Sequence, residues 1–272
     1  MARTNEIFTP IFEAYRQGFA GSLVERKLGG VTTYEVLPRT IPACNRDRVL
    51  LFLHGGAYVF GGGPLAGAGA IPLAGAGGYR TFSPDYRMPP DHPFPAALDD
   101  AVAVYRAVLE EHAPSTIGIA GVSAGGGLAA ASILKIRDLG LPLPAAAVLL
   151  TPEADLTESG DTFATNEDLD IVLKKPMPVL NQLYAAGHDP RDPCISPVFG
   201  DFSKGFCPTY LQSGTRDLFL SNTVILHRAL RRAGLEADLN VWEAMPHVGF
   251  FGAPEDAESI ADQLRFLDRH LR

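Results

Sequence analysis

The chain has 272 residues, 46% hydrophobic and 20% charged, with a net charge of −8 at pH 7, the profile of a globular protein holding one large α/β domain or two small ones. The negative charge disfavours nucleic acid and anionic membrane as partners, and no stretch has the length and apolarity of a membrane span, so no stable membrane insertion is expected. Three sparsely spaced cysteines, Cys44, Cys194 and Cys207, fit neither a disulfide framework nor a zinc site; free thiols and the lack of a leader-like apolar run in MARTNEIFTPIFEAYRQGF predict a cytoplasmic location.

Asn5 to Gly21 predicts an amphipathic helix, with Ile7, Ile11, Phe12, Tyr15 and Phe19 near helical spacing. Val31 to Leu37 alternates like a strand. Arg48 to Leu53 is a continuous apolar run, as in a strand covered on both faces, and ends in His54-Gly55-Gly56-Ala57-Tyr58. Gly61 to Gly78 reads as a loop and then a weak helix packed closely on the sheet. Arg80 to Ser83 is a short strand before Asp85-Tyr86-Arg87. Pro93 to His112 is a helix with one stripe of Leu98, Ala101, Val102, Tyr105, Val108 and Leu109.

Thr116 to Ala120 is a strand, and the Ala/Leu-rich stretch Leu128 to Leu139 a helix; Gly121-Val122-Ser123-Ala124-Gly125 lies between them. Pro144 to Leu150 is another buried strand. Thr151 to Gly205 then loses periodicity, except for a helical piece around Pro178 to Ala186; so long a segment between strands usually serves function. Pro208 to Gln212 is a strand. Ser221 to Ala233 is a helix, capped by Ser221 or Asn222 and stopped by Gly234. Glu236 to Trp242 alternates as a strand, and Asp256 to Leu271 closes the chain as a helix. Alternating strands and helices predict an α/β fold with a mainly parallel sheet, helices on both faces and a site at the carboxyl ends of the strands.

The G-x-S-x-G pattern alone arises by chance about once in ten chains of this composition. Its strand-to-helix context gives it meaning: a tight elbow projects Ser123 off the sheet, near free N–H groups of a helix start. A serine hydroxyl needs a base and a third group to orient that base. His247, in a loop after the last strand, is the candidate base; His112, His188, His227 and His270 read as structural. Asp217, after the strand at Gln212, fits the acid, with Glu243 and Asp155 as alternatives. The N–H groups of Gly55, Gly56 and Ala124 are candidate donors to an oxyanion, each worth about 3 kcal/mol in the transition state.

These stretches together, His54 to Tyr58, Asp85 to Ala97, Gly121 to Gly126, Asp217 and His247 to Phe250, resemble the hormone-sensitive-lipase-like carboxylesterases of the α/β-hydrolase fold. The resemblance runs from about Val31 to the C-terminus. It implies Ser123, Asp217 and His247 as catalytic triad, Gly55, Gly56 and Ala124 as oxyanion hole, and Asp85 and Arg87 as residues holding the loops. It implies one α/β-hydrolase domain over 1–272, with small helical cap elements at about 1–28 and 158–197. The expected reaction is hydrolysis of uncharged short- to medium-chain acyl esters by a serine esterase, without cofactor or metal. A lactone hydrolase with the same triad and a catalytically inactive ligand-binding protein are the alternatives. A homodimer through the edge strand 236–242 is allowed. The chain departs from the family pattern at Ala57, at Val122 before the serine, at Leu218-Phe219 after the acid, and at Val248, inserted in the usual His-Gly-Phe.

Overall fold

The computed structural model describes residues 2–173 and 178–272, with side chains from Thr9 onward; the Ile7 side chain of the apolar stripe and residues 174–177 of the second cap segment lie outside what is described. The strands are β1 (Gly21–Leu28), β2 (Val31–Pro38), β3 (Val49–Leu53), β4 (Arg80–Pro84), β5 (Ile117–Val122), β6 (Ala146–Leu150), β7 (Thr209–Gly214) and β8 (Ala237–Trp242). The helices are α1 (Ala2–Gly18), α2 (Pro64–Gly77), α3 (Ala96–Glu111), α4 (Ala124–Asp138), α5 (Thr162–Thr165), α6 (Pro178–Ala185), α7 (Leu220–Arg232) and α8 (Pro254–His270). One eight-stranded sheet has the order β1-β2-β4-β3-β5-β6-β7-β8. β2 runs antiparallel to both β1 and β4, and every other neighbouring pair is parallel. The chain thus adopts the α/β-hydrolase fold.

The core follows from side-chain alternation along the strands. On β3, Leu51 and Leu53 join Ile119, Leu149 and Leu211 under α3, α4 and α7. Leu50 and Phe52 turn to the other face and meet Val148, Tyr210, α2 and α8. Burial of each such side chain contributes about 2 kcal/mol before chain entropy is counted. α2 lies close on the sheet because its inner face is small: Ala66, Gly67, Ala68, Ala70 and Ala74 are all buried. α1 in turn packs on α2.

Two expectations need correction. The segment 21–28, read as part of a cap, is instead β1, an edge strand paired with β2 along its whole length. Neither Ser221 nor Asn222 caps α7: the cap position is Phe219, whose N–H donates to the Asp217 carboxylate at 2.9 Å. The Ser221 hydroxyl donates instead to Asp161 at 2.8 Å. Among the described residues no helix is long and apolar enough to cross a membrane.

Candidate active site

The site gathers at the carboxyl ends of β3, β5, β7 and β8. β5 turns directly into α4 at Ser123, which adopts φ 58°, ψ −126°. A left-handed backbone on a non-glycine residue costs on the order of 1–3 kcal/mol and persists only where its surroundings hold it. Here the Ser123 carbonyl accepts the N–H groups of Gly126, Gly127 and Glu153 at 2.9, 3.1 and 2.9 Å, and the Ser123 N–H donates to Leu150 at 2.9 Å. The flanking glycines are steric requirements. A Cβ on Gly125 would lie 2.0 Å from the Leu53 carbonyl oxygen, and one on Gly121 would lie 2.2 Å from that of Gly125.

Asp217 and His247 converge on this elbow. His247 Nε2 lies 2.8 Å from Ser123 Oγ, and His247 Nδ1 lies 2.9 Å from Asp217 Oδ1. All three residues are buried. A carboxylate oxygen only accepts, so Nδ1 carries the proton and leaves Nε2 to receive one from the serine hydroxyl. Asp217 is itself fixed: the Ser213 hydroxyl donates to Oδ2 at 2.6 Å. The Phe219 ring meets His247 edge to face at 4.9 Å. The alternative acids stand elsewhere. Asp155 accepts from Thr157 and Ser159 of its own turn, and exposed Glu243 accepts from Thr215.

The loop after β3 comes against the elbow from the other side. The Cβ of Ser123 is 3.2 Å from where a Cβ on Gly55 would stand. Gly56 takes φ 126° and Ala57 φ 50°, so the loop coils back at once and the Gly56 carbonyl accepts from Val59 and Phe60. Among the described residues the N–H groups of Gly55, Gly56 and Ala124 donate to no protein acceptor. His54 anchors this loop. Its Nδ1–H donates to the Gly55 carbonyl at 2.8 Å, and its ring stacks on Tyr86 at 4.0 Å, whose hydroxyl donates to the His54 carbonyl at 2.7 Å. Burial lowers the His54 pKa to about 4, so the ring is neutral at pH 7. Asp85 accepts the Gly63 N–H at 2.8 Å, and Arg87 pairs with Asp100 of α3 at 2.8 Å.

Sequence reasoning missed three buried polar groups here. Ser213 holds Asp217. Glu153 sits behind the elbow, its carboxyl fully buried without a partner and its pKa raised to about 8 by burial and by Glu158. Asp170 brings a carboxylate oxygen to within 4.8 Å of ligand-type atoms of Asp217 and His247. That trio is the one grouping of metal-ligating type among the described residues, and each member is engaged in hydrogen bonds with its neighbours. None of the three carried a spacing or periodicity signal.

Residues 50–251 match the family described as alpha/beta hydrolase fold. The chain is 39% identical over 209 residues to an acetyl-hydrolase of Streptomyces hygroscopicus, covering 76% of this chain and 70% of that protein. It is 33% identical to the putative acetyl-hydrolase LipR of Mycobacterium tuberculosis, covering 96% and 91%. The crystal structure of an esterase of the bacterial hormone-sensitive lipase family superimposes with TM-score 0.89 at 32% identity, covering 99% of this chain and 92% of that one. The fold and its neighbours define the class as the ester hydrolases. The chain belongs to the α/β-hydrolase family, in its hormone-sensitive-lipase-like branch.

Proposed function

We propose that this protein is a serine carboxylesterase acting through an acyl-enzyme. The observation that carries the reading is the unbroken chain Asp217–His247–Ser123, at 2.9 and 2.8 Å, ending on a serine held at the elbow. Ser123 Oγ attacks the ester carbonyl while His247 Nε2 takes its proton. The carbonyl oxygen, now negative, is met by the N–H groups of Gly55, Gly56 and Ala124, each worth about 3 kcal/mol in the transition state. The tetrahedral adduct collapses and the leaving alkoxide takes the proton from His247. A water, deprotonated by the same nitrogen, then releases the acid and restores Ser123. Asp217 keeps the imidazole in the working tautomer and stabilises its cation.

Apolar groups flank this machinery. Phe163, Leu218 and Phe219 form a small cluster against Ala57, Leu173 and Leu180, next in the chain to the oxyanion loop at Ala57 and to the acid at Leu218. Such walls suit uncharged acyl esters of short to medium length. The reading includes one hydrolase domain over the whole chain, capped by α1 and by the segment 158–197. It also includes a cytoplasmic location, consistent with the three free cysteines, and a homodimer through the open sheet edge at β8. Lactones, as internal esters, fit the same chemistry. A catalytically inactive binding protein is disfavoured by the complete relay.

The test is hydrolysis of p-nitrophenyl esters from acetate to palmitate by wild type and Ser123→Ala. Turnover of the short chains that vanishes in the variant supports the reading. Wild type without turnover on esters or lactones contradicts it.

A further inference from the structure

We infer that the strap 161–170, and its buried Asp170 above all, is a positioning device that holds the acid Asp217 under His247. The inference rests on Asp217 and His247 acting as proposed above.

The strap follows β6 in the chain, after the turns at 151–160, and packs on the loop that carries Asp217. Its polar side chains bond to that loop at successive points. Thr162 Oγ1 donates to the Leu218 carbonyl at 2.9 Å and accepts the Ser221 N–H at 3.0 Å. Asn166 Nδ2 donates to the carbonyls of Thr215 and Asp217 at 3.1 and 2.9 Å. Asp170 Oδ2 accepts the Leu218 N–H at 2.9 Å. The peptide group that follows Asp217, and the carbonyls of Thr215 and Leu218, are therefore gripped from one segment.

Asp170 differs from Thr162 and Asn166 in being a carboxylate. It is fully buried, and its Oδ1 accepts from Val172 and Leu173 at 2.8 and 3.2 Å. A carboxylate oxygen of Asp170 lies within 4.8 Å of ligand-type atoms of Asp217 and His247. Among the described residues, the titratable groups facing His247 are Asp217 on the loop after β7 and Asp170 on the strap. Ser123, from the elbow, and Phe219, from the start of α7, contribute no charge. A second negative charge at that range favours the imidazolium formed when Ser123 is deprotonated, and burial leaves it little screened. Asp170 touches no reacting atom and acts through Asp217 and His247.

The experiment compares Asp170→Asn and Asn166→Ala with wild type and with Ser123→Ala and Asp217→Asn, on p-nitrophenyl acetate across pH. In Asp170→Asn an amide NH2 or a single oxygen must face N–H groups that a carboxylate satisfies on both sides. The expected result is a kcat reduced about tenfold or more with KM within about twofold. A loss confined to kcat, with KM held, marks a misplaced acid rather than damage to the binding walls. Asn166→Ala lowers kcat several-fold, and keeps the strap testable if Asp170→Asn does not fold. Wild-type kcat in both variants, or a loss in folded Asp170→Asn that falls on KM as much as on kcat, overturns the inference. If Ser123→Ala and Asp217→Asn retain turnover, the serine-esterase reading has failed instead.

Discussion

The main-chain N–H of Glu153 donates to the carbonyl of Ser123 at 2.9 Å. The residue two places beyond the turn after β6 thus braces the strained residue of the elbow. The same residue carries a buried carboxyl that has no hydrogen-bond partner among the described residues.

Burial raises the Glu153 pKa from 4.5 to about 8. A raised acid pKa in the folded state means the unfolded chain releases this proton first. The stability linked to Glu153 is therefore fully present below pH 4.5 and is lost progressively as pH rises to about 8. Glu153→Gln, which stays neutral, gains on wild type across that window, by as much as about 5 kcal/mol. Urea midpoints at both ends of the window check it: the gap between the two proteins must widen with pH. A constant gap means the carboxyl titrates normally.

Gly125→Ala tests the steric account of the elbow. Its methyl would lie 2.0 and 2.3 Å from two backbone carbonyl oxygens, neither of which rotates away. The expected cost is about 4 kcal/mol or more, seen as loss of soluble protein or a large fall in Tm, together with loss of turnover. A folded, active Gly125→Ala protein would mean that β3 and α4 are further apart than described.

Ser213→Ala tests the support of the acid. The variant deletes a 2.6 Å hydrogen bond to a buried carboxylate, an interaction of about 1.5–3 kcal/mol, and lets Asp217 rotate. Steady-state kinetics should give a kcat lower by about tenfold, with KM little changed. An equal loss in KM would point to damage in the binding walls instead.

Val248 is a β-branched residue at φ 71°, next to His247. Such a backbone costs Val on the order of 1–3 kcal/mol and glycine almost nothing. Val248→Gly should raise Tm by a few degrees, net of the added freedom of the unfolded chain, and leave kcat within about threefold. A lower Tm would show that Val248 contributes packing that outweighs its backbone strain.

What could be read from the sequence was what local chemistry dictates. Ser123, Asp217 and His247 each follow a strand marked by an apolar run or alternation, and the glycines at 121 and 125 are demanded by the turn itself. β1 was not legible, because Leu23, Val24 and Leu28 are interleaved with Glu25, Arg26 and Lys27 on a mostly exposed edge, and only pairing with β2 makes it a strand. Asp170 and Ser213 were hidden for a different reason. Each is one polar residue whose partner is fixed by tertiary contact: Leu218 lies 48 residues from Asp170 in the chain, and Ser213 gains meaning only once Asp217 is turned back beneath His247. Ser221 misled as a cap because Asp217 already takes the first free N–H of α7, freeing that hydroxyl for Asp161.

The central claim is that Ser123 carries the acyl group, and intact-mass and peptide-mass measurement after rapid acid quench with p-nitrophenyl acetate tests it most directly. The account predicts the gain of one acetyl group on the peptide containing Ser123 in wild type, and none in Ser123→Ala. Acetylation at another residue, or turnover by Ser123→Ala at the wild-type rate, would contradict it.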